Sequence, residues 1–528
     1  MKFLFSFCFL LFFSGSAFSQ WGIRLDTEEA VDGFTLFKIS GQATYLINNC
    51  GEVVHTWDAT GGLFTHPKLL DNGNIIYTTN SNLSEYSWDG QLLNSVSTSQ
   101  TEVENFTYRY EVVKLENGNY LSVGRISKSD DELDDLGFDL SLYSPSETDV
   151  VVEVDSASGQ VVWLWDIADH MIQERDSTKG NFGSIFDHPE LLDMDAISRF
   201  DWNFGESFMI NGMDYNPDLD QIALSVRKMS EIIIIDHSTT TEEAQGSIGG
   251  NSGKGGDVLY RWGNQQNYSR GTDADRYLFF QHNPKWILEG PHKNKLSCFN
   301  NGLNRPNYWP LGAFSEAPLI TTSINADGEY ELLEDSPYMP IAPDVVYAGN
   351  NPSSTFYSPY TSGAQIFANG NVFISEGINA RLLEVNSEGE VVWEYKVPSN
   401  DYLFRAEKYE STHPAFEGKD LIPTGIEIPF TDTPYECGTV SVLDRLTPNQ
   451  NMFSLQQFSN KSFTINNLRN DNTQFQIVDL QGQLMRTYYI GSHGSQDISL
   501  DGLSSSLYIL SAIDKEKGQI QSQKLIIY

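Results

Sequence analysis

The residues best suited to chemistry fall in one register. His282 lies in FFQHNPKW (279–286), and Met209 opens MINGMDYNPD (209–218) at the equivalent place. A neutral imidazole can attack an electrophile or take a proton; a thioether can do neither. Tyr110, which opens YEVVKLENGN (110–119), shares the register. No glycine-rich phosphate loop, paired Cys-x-x-Cys, His-Glu-x-x-His or Gly-x-Ser-x-Gly elbow competes with it, and no metal site or cofactor is expected. The acidic run Asp130, Asp131, Glu132, Asp134, Asp135 reads as a solvated loop rather than a calcium loop, which needs a turn glycine between spaced ligands.

Those residues need elements to hold them, and the elements read as β structure. Short alternating runs bounded by Asn-Gly and Asp-Gly dominate over any helical period. THPKLLDNGN (65–74), YEVVKLENGN (110–119) and SGAQIFANGN (362–371) align without gaps; MINGMDYNPD and HNPKWILEGP (282–291) share the register more loosely. GEVVHTWD (51–58), SGQVVWLWD (158–166), DVLYRWGN (257–264) and EGEVVWEYK (388–396) each close a unit with an aromatic strand. Such units suit the blades of an all-β propeller, with a long sandwich as the alternative. Five inner strands are visible, and strands near 33–58 joining the last segment would complete a sixth blade. Thr65, Tyr110, Met209, His282 and Ser362 then share one ring position around a central funnel, although a slip of one residue would turn each side chain away. His66 sits at the edge of that ring. His237 and the other histidines read as structural or exposed.

Composition bounds the partners. The 528 residues carry a formal net charge of −38, so the basic footprint that nucleic acid or an anionic membrane surface demands is missing. MKFLFSFCFLLFFSGSAFSQ reads as a signal peptide over 1–19, and no later segment is long and apolar enough to span a bilayer, so a secreted or surface location is expected. Export permits disulfides: Cys50 and Cys437 would pair, leaving Cys298 a buried thiol, with three free thiols the alternative. The propeller is expected over 20–445. A small β-sandwich follows over 456–528.

Region 205–310 resembles the bacterial arylsulfate sulfotransferases. MDYNPDLDQIALS, EIIIIDHSTTTEEAQG, GKGGDVLYRWGNQQNYSRGT, FFQHNPKWI and CFNNGLNRP carry the likeness, and FYSPYTSGAQIFANGNVFISEG extends it, so that it covers about 21–430. The resemblance implies a six-bladed propeller, export, and sulfuryl transfer from a phenolic sulfate to a phenolic acceptor with no nucleotide donor. It implies a histidine that takes the sulfuryl group covalently, with other histidines and an arginine holding its oxygens. Matched block by block, it retains His282 and Arg305 as catalytic residues and Arg227 and Asn211 as substrate-binding ones. Met209 stands where the family has a histidine, and Tyr110 falls in the less securely matched Arg109-Tyr110-Glu111. A propeller that binds a ligand or partner without turnover is the competing reading. The tail, through VDLQGQLMRT, DISLDGLSSSLYIL and KLIIY, resembles a type IX secretion sorting domain, which would make that machinery a partner; a small binding domain is the alternative.

Overall fold

The computed structural model of the chain describes residues 21–428 and 453–527, apart from breaks at 59–64, 142–144, 200–207, 307–312, 326–327, 350–354, 400–401, 427, 460–461, 469–472, 479–483, 501–505 and 515–518. The expected leader and Cys437 lie outside the described residues. Cys50 is disulfide-bonded and Cys298 is a buried free thiol.

The chain is a β-propeller. Among the described residues, six antiparallel sheets of four or five strands succeed one another between Gly22 and Glu410. The repeated Asn-Gly-Asn triplets show how local sequence builds each hairpin. Gly73, Gly118 and Gly370 take φ of +85°, +89° and +89°, the left-handed region that such a turn requires. In each, the first asparagine side chain accepts the N–H two residues on, at 2.9 Å. The second asparagine then reaches a glutamate in its own sheet: Asn74 to Glu85, Asn119 to Glu153, Asn371 to Glu384.

The aromatic closing strands work between sheets. Trp57, Trp165, Trp262 and Trp393 bury their rings and donate their indole N–H to the carbonyls of Ser87, Gly256, Pro340 and Asn49. Six apolar clusters lie between successive sheets, and one joins Phe37 and Tyr45 of the first sheet to Phe373 and Trp393 of the last. Backbone hydrogen bonds close the ring as well: Ala406–Glu410 pairs with Gly33–Lys38, so the last inner strand completes the sheet that the first strands begin. Gly22–Asp26 is added outside Val391–Lys396.

The acidic run is not a loop. Asp130–Asp135 forms a short helix whose N-terminus is capped by Ser129, with Glu132 completing the capping box. Asp130, Asp131 and Glu132 are favourable there because they lie in the first turn, at the positive end of the helix.

Beyond Phe453 a second β unit has its own core. Its strands form a three-stranded and a four-stranded sheet, with Phe463, Ile465, Phe475, Ile477, Ile498 and Leu510 buried together.

Candidate functional site

A cavity of about 460 Å³ opens where the inner strands begin. It brings together Tyr110, Met209, Asn211, Arg227 and His282, residues far apart in the sequence. The backbone turns these residues inward at a cost. Tyr110, Met209, Phe280 and Thr361 have φ of 45°, 61°, 58° and 54°, a region that non-glycine residues avoid and that clusters at functional sites. The register is right for Tyr110, Met209 and His282. In the last repeat it slips by one: Thr361, not Ser362, lines the cavity.

His282 is 4% exposed. Its Nδ1 lies 2.7 Å from Asn301 Oδ1. The Asn301 amide donates to the Ser358 and Thr361 carbonyls at 2.7 and 3.0 Å, so the Asn301 oxygen can only accept. Nδ1 therefore carries the proton, and Nε2 keeps its lone pair. Burial, and then the charge of Arg227, bring the imidazole pKa down to about 3. The ring is neutral at any working pH.

Arg227 lies just past the strand Gln221–Val226, and its N–H donates to the Met209 carbonyl at 3.1 Å. Its guanidinium sits over the rings of Phe280 and Tyr360, at 4.8 and 5.7 Å from their centroids, with Nη1 3.5 Å from Met209 Sδ. Aromatic faces cover the plane of the cation and fix it. The Met209 N–H donates to Asp149 at 2.7 Å. Asn211 donates its amide to the Gln281 carbonyl at 2.8 Å, which leaves its own oxygen unpartnered. Tyr110 stacks on Phe404 at 5.5 Å and 10°.

Arg305 is placed elsewhere. It pairs with Glu316 at 2.8 Å and lies over Phe314 and Phe279, and it does not line the cavity. The sequence also passed over Tyr360, Thr361, Ile378, Tyr402 and Phe404, which make much of the wall, and Asn301, which sets the histidine tautomer. Asn301 lies inside the FNNGLNRP block that drew attention to Arg305. His237 has a structural place, bridging two carboxylates: it meets Asp220 at 2.8 Å and Glu153 at 3.1 Å.

Among the described residues no group of His, Cys, Asp or Glu converges as a metal site, and no helix is long and apolar enough to cross a membrane. The arrangement offers one neutral nucleophilic nitrogen, one fixed cation and an aromatic wall. That set suits an anionic group carried on an aryl ring.

The family model described as Arylsulfotransferase (ASST) matches residues 24–413. No curated protein matches the chain. Among solved structures, a protein of unknown function from Bacteroides caccae is 11% identical with a TM-score of 0.38, over 71% of this chain and 98% of its own. A putative 6-phosphogluconolactonase from Bacteroides uniformis is 12% identical with a TM-score of 0.32, over 89% and 100%. A luciferin-regenerating enzyme is 9% identical with a TM-score of 0.30, over 72% and 99%.

Proposed function

The chain belongs to the arylsulfotransferase family, whose chemistry is sulfuryl transfer, and on that premise we propose that its cavity moves a sulfuryl group from a phenolic sulfate ester to a phenolic acceptor through His282. The observation that carries the reading is the state of that histidine: neutral, held by Asn301 through Nδ1, with Nε2 free to attack. Attack of Nε2 on sulfur breaks the ester S–O bond and leaves a sulfuryl-imidazole. A phenol oxygen then displaces the nitrogen, and two modest steps replace one difficult one. Negative charge on the sulfuryl oxygens meets the Arg227 guanidinium in a dry, aromatic setting, where a fixed cation acts strongly. Tyr110, Tyr360, Tyr402 and Phe404 give the aryl ring its faces. No nucleotide sulfate is needed in this scheme.

The wider setting follows the sequence. The leader over 1–19 is removed on export, six blades make the propeller, and the tail is read by a type IX secretion machinery at the cell surface.

One observation favours a second reading, a binding propeller without turnover. Met209 puts a thioether against Arg227 where the family has a histidine, and the Asn211 amide is already committed to the backbone. A single experiment decides between them. Purified protein is given an aryl sulfate in the absence of acceptor, digested, and mapped by mass spectrometry. A sulfuryl adduct on the peptide holding His282, discharged by added phenol, supports transfer; binding of the ester with neither adduct nor released phenol supports the receptor. Met209→His should raise transfer, since it restores a donor beside the sulfuryl oxygens.

A further inference from the structure

Behind the cavity wall lies a buried cluster of charged residues that none of these steps uses. Tyr110 and Phe404 face the cavity, while the residues after them, Glu111 and Arg405, are buried at 0% and 2% exposure. Gly363 lets Arg405 and Asn283 approach closely: a Cβ there would come within 2.6 Å of Asn283 Oδ1 and 2.8 Å of Arg405 Cδ. Arg405 pairs with Glu111, whose other oxygen is 2.9 Å from Lys68 Nζ. Glu407 Oε1 lies 3.2 Å from His66 Nε2 and 3.3 Å from Lys285 Nζ, and that lysine is 3.9 Å from Asp214. Among the described residues, the charges around His66 are Lys68, Lys285 and Arg405 against Glu111, Asp214 and Glu407, whose other oxygen accepts from the Tyr409 hydroxyl at 2.7 Å.

Several atoms of this cluster are unmet. His66 is 1% exposed, and neither ring nitrogen makes a hydrogen bond, Nε2 having only its 3.2 Å ion-pair contact with Glu407; Arg405 Nη2 has no partner either. Native structures keep such buried groups where water or a ligand completes them. The His66 ring lies 6.3 Å from that of Phe404, the cavity wall.

We infer that His66 is the proton relay of the transfer reaction, working through water that completes these unmet polar atoms. The inference rests on the proposed sulfuryl transfer. That reaction meets a proton twice, because donor and acceptor are both phenols. His282 cannot handle it: Nε2 is bonded to sulfur in the intermediate, and Nδ1 already holds a proton against Asn301. As the acceptor oxygen bonds to sulfur, the S–Nε2 bond breaks and its electron pair returns to His282. The phenolic proton passes through water to His66 Nδ1. In the next cycle the ester S–O bond breaks, its electron pair goes to the departing oxygen, and His66 returns the proton there. Glu407 holds the imidazole from the far side and balances its charge, as a carboxylate does for a histidine base. Burial holds the His66 pKa below its usual value against the pull of Glu407, so the ring gives up readily to the next leaving oxygen the proton that it took from the acceptor.

The test uses the full chain and a series of phenols of graded acidity. Acceptor transfer is timed after loading with a nitrophenyl sulfate, and donor cleavage is read as the burst. His66→Gln should slow transfer to the least acidic phenols by roughly 100-fold, the usual scale of general acid–base catalysis, and the loss should vanish for phenols already ionised at the assay pH. Wild type should show a solvent deuterium isotope effect that fades along the same series, a readout that does not depend on the variant folding. An equal loss across the series, no loss, or a flat isotope effect overturns the relay while leaving the sulfotransferase standing. No transfer by wild type even from a nitrophenyl sulfate overturns both.

Discussion

His282 and His237 are the same side chain in opposite surroundings. His282 sits at the head of an inner strand, walled by aromatic rings, with Arg227 and Arg405 as its charged neighbours. His237 sits past an outer strand between Asp220 and Glu153, edge-on to Trp163 and Tyr215. Burial depresses both imidazoles. At His282 nearby cations add to the depression; at His237 the bonds to Glu153 and Asp220 outweigh it, and the pKa rises. One site makes a nucleophile and the other a cationic clasp. Charge environment, not residue type, assigns the role.

The largest expected effect separates the two at once. His282→Ala should reduce turnover at least ~1,000-fold, because the covalent route is lost, while His237→Ala should leave turnover within about 2-fold. Steady-state transfer assays on both variants check it; equal losses would erase the distinction.

The two arginines sharpen the same contrast. Arg227→Gln should cost roughly 100-fold in kcat/KM, the scale of one lost transition-state donor. Arg305→Gln should leave kcat/KM nearly unchanged and lower the melting temperature, because it strands Glu316. Loss of activity comparable to that of Arg227→Gln would return Arg305 to the site.

Asn301→Leu should lower turnover about 10-fold by freeing the tautomer of His282, without removing the nucleophile. A pH–rate profile reads it: the acid limb, set by a pKa of about 3 in wild type, should move further down, because the Asn301 oxygen favours the protonated ring and leucine does not.

The smallest effect is on stability, and its sign is opposite at the two histidines. His237 binds its proton more tightly folded than unfolded. Its contribution is complete below the ordinary value of 6.5 and fades as pH rises through the raised folded value. His282 refuses a proton that the unfolded chain accepts. It costs nothing above 6.5 and destabilises progressively as pH falls from there toward 3, by at most ~1.4 kcal/mol per pH unit. Urea midpoints between pH 5 and pH 8 should show His237→Gln losing most at the acid end and His282→Gln gaining there.

The sequence by itself determined the propeller and half of the residues that line the cavity. Asn-Gly-Asn triplets dictate their own turns, because glycine supplies the left-handed φ and asparagine closes the turn locally. Alternation in β strands then carries register along the chain, which is why Tyr110, Met209 and His282 could be placed in one ring from spacing alone. Thr361 displaced Ser362 because both take positive φ, so that strict alternation fails where the strand begins. Tyr402 and Phe404 lie on the closing segment, where no repeat marked an inner strand. Their place depends on Ala406–Glu410 pairing with Gly33–Lys38 across the whole chain. Direction was the other thing that spacing could not give. Arg305 and Arg227 look alike in sequence, but Glu316 and two phenylalanines claim one, while the cavity edge and two rings hold the other. The state of His282 was decided in the same way, by an asparagine oriented through carbonyls from a different sheet. Local sequence fixes turns and faces; partners from distant segments fix charge, tautomer and aim.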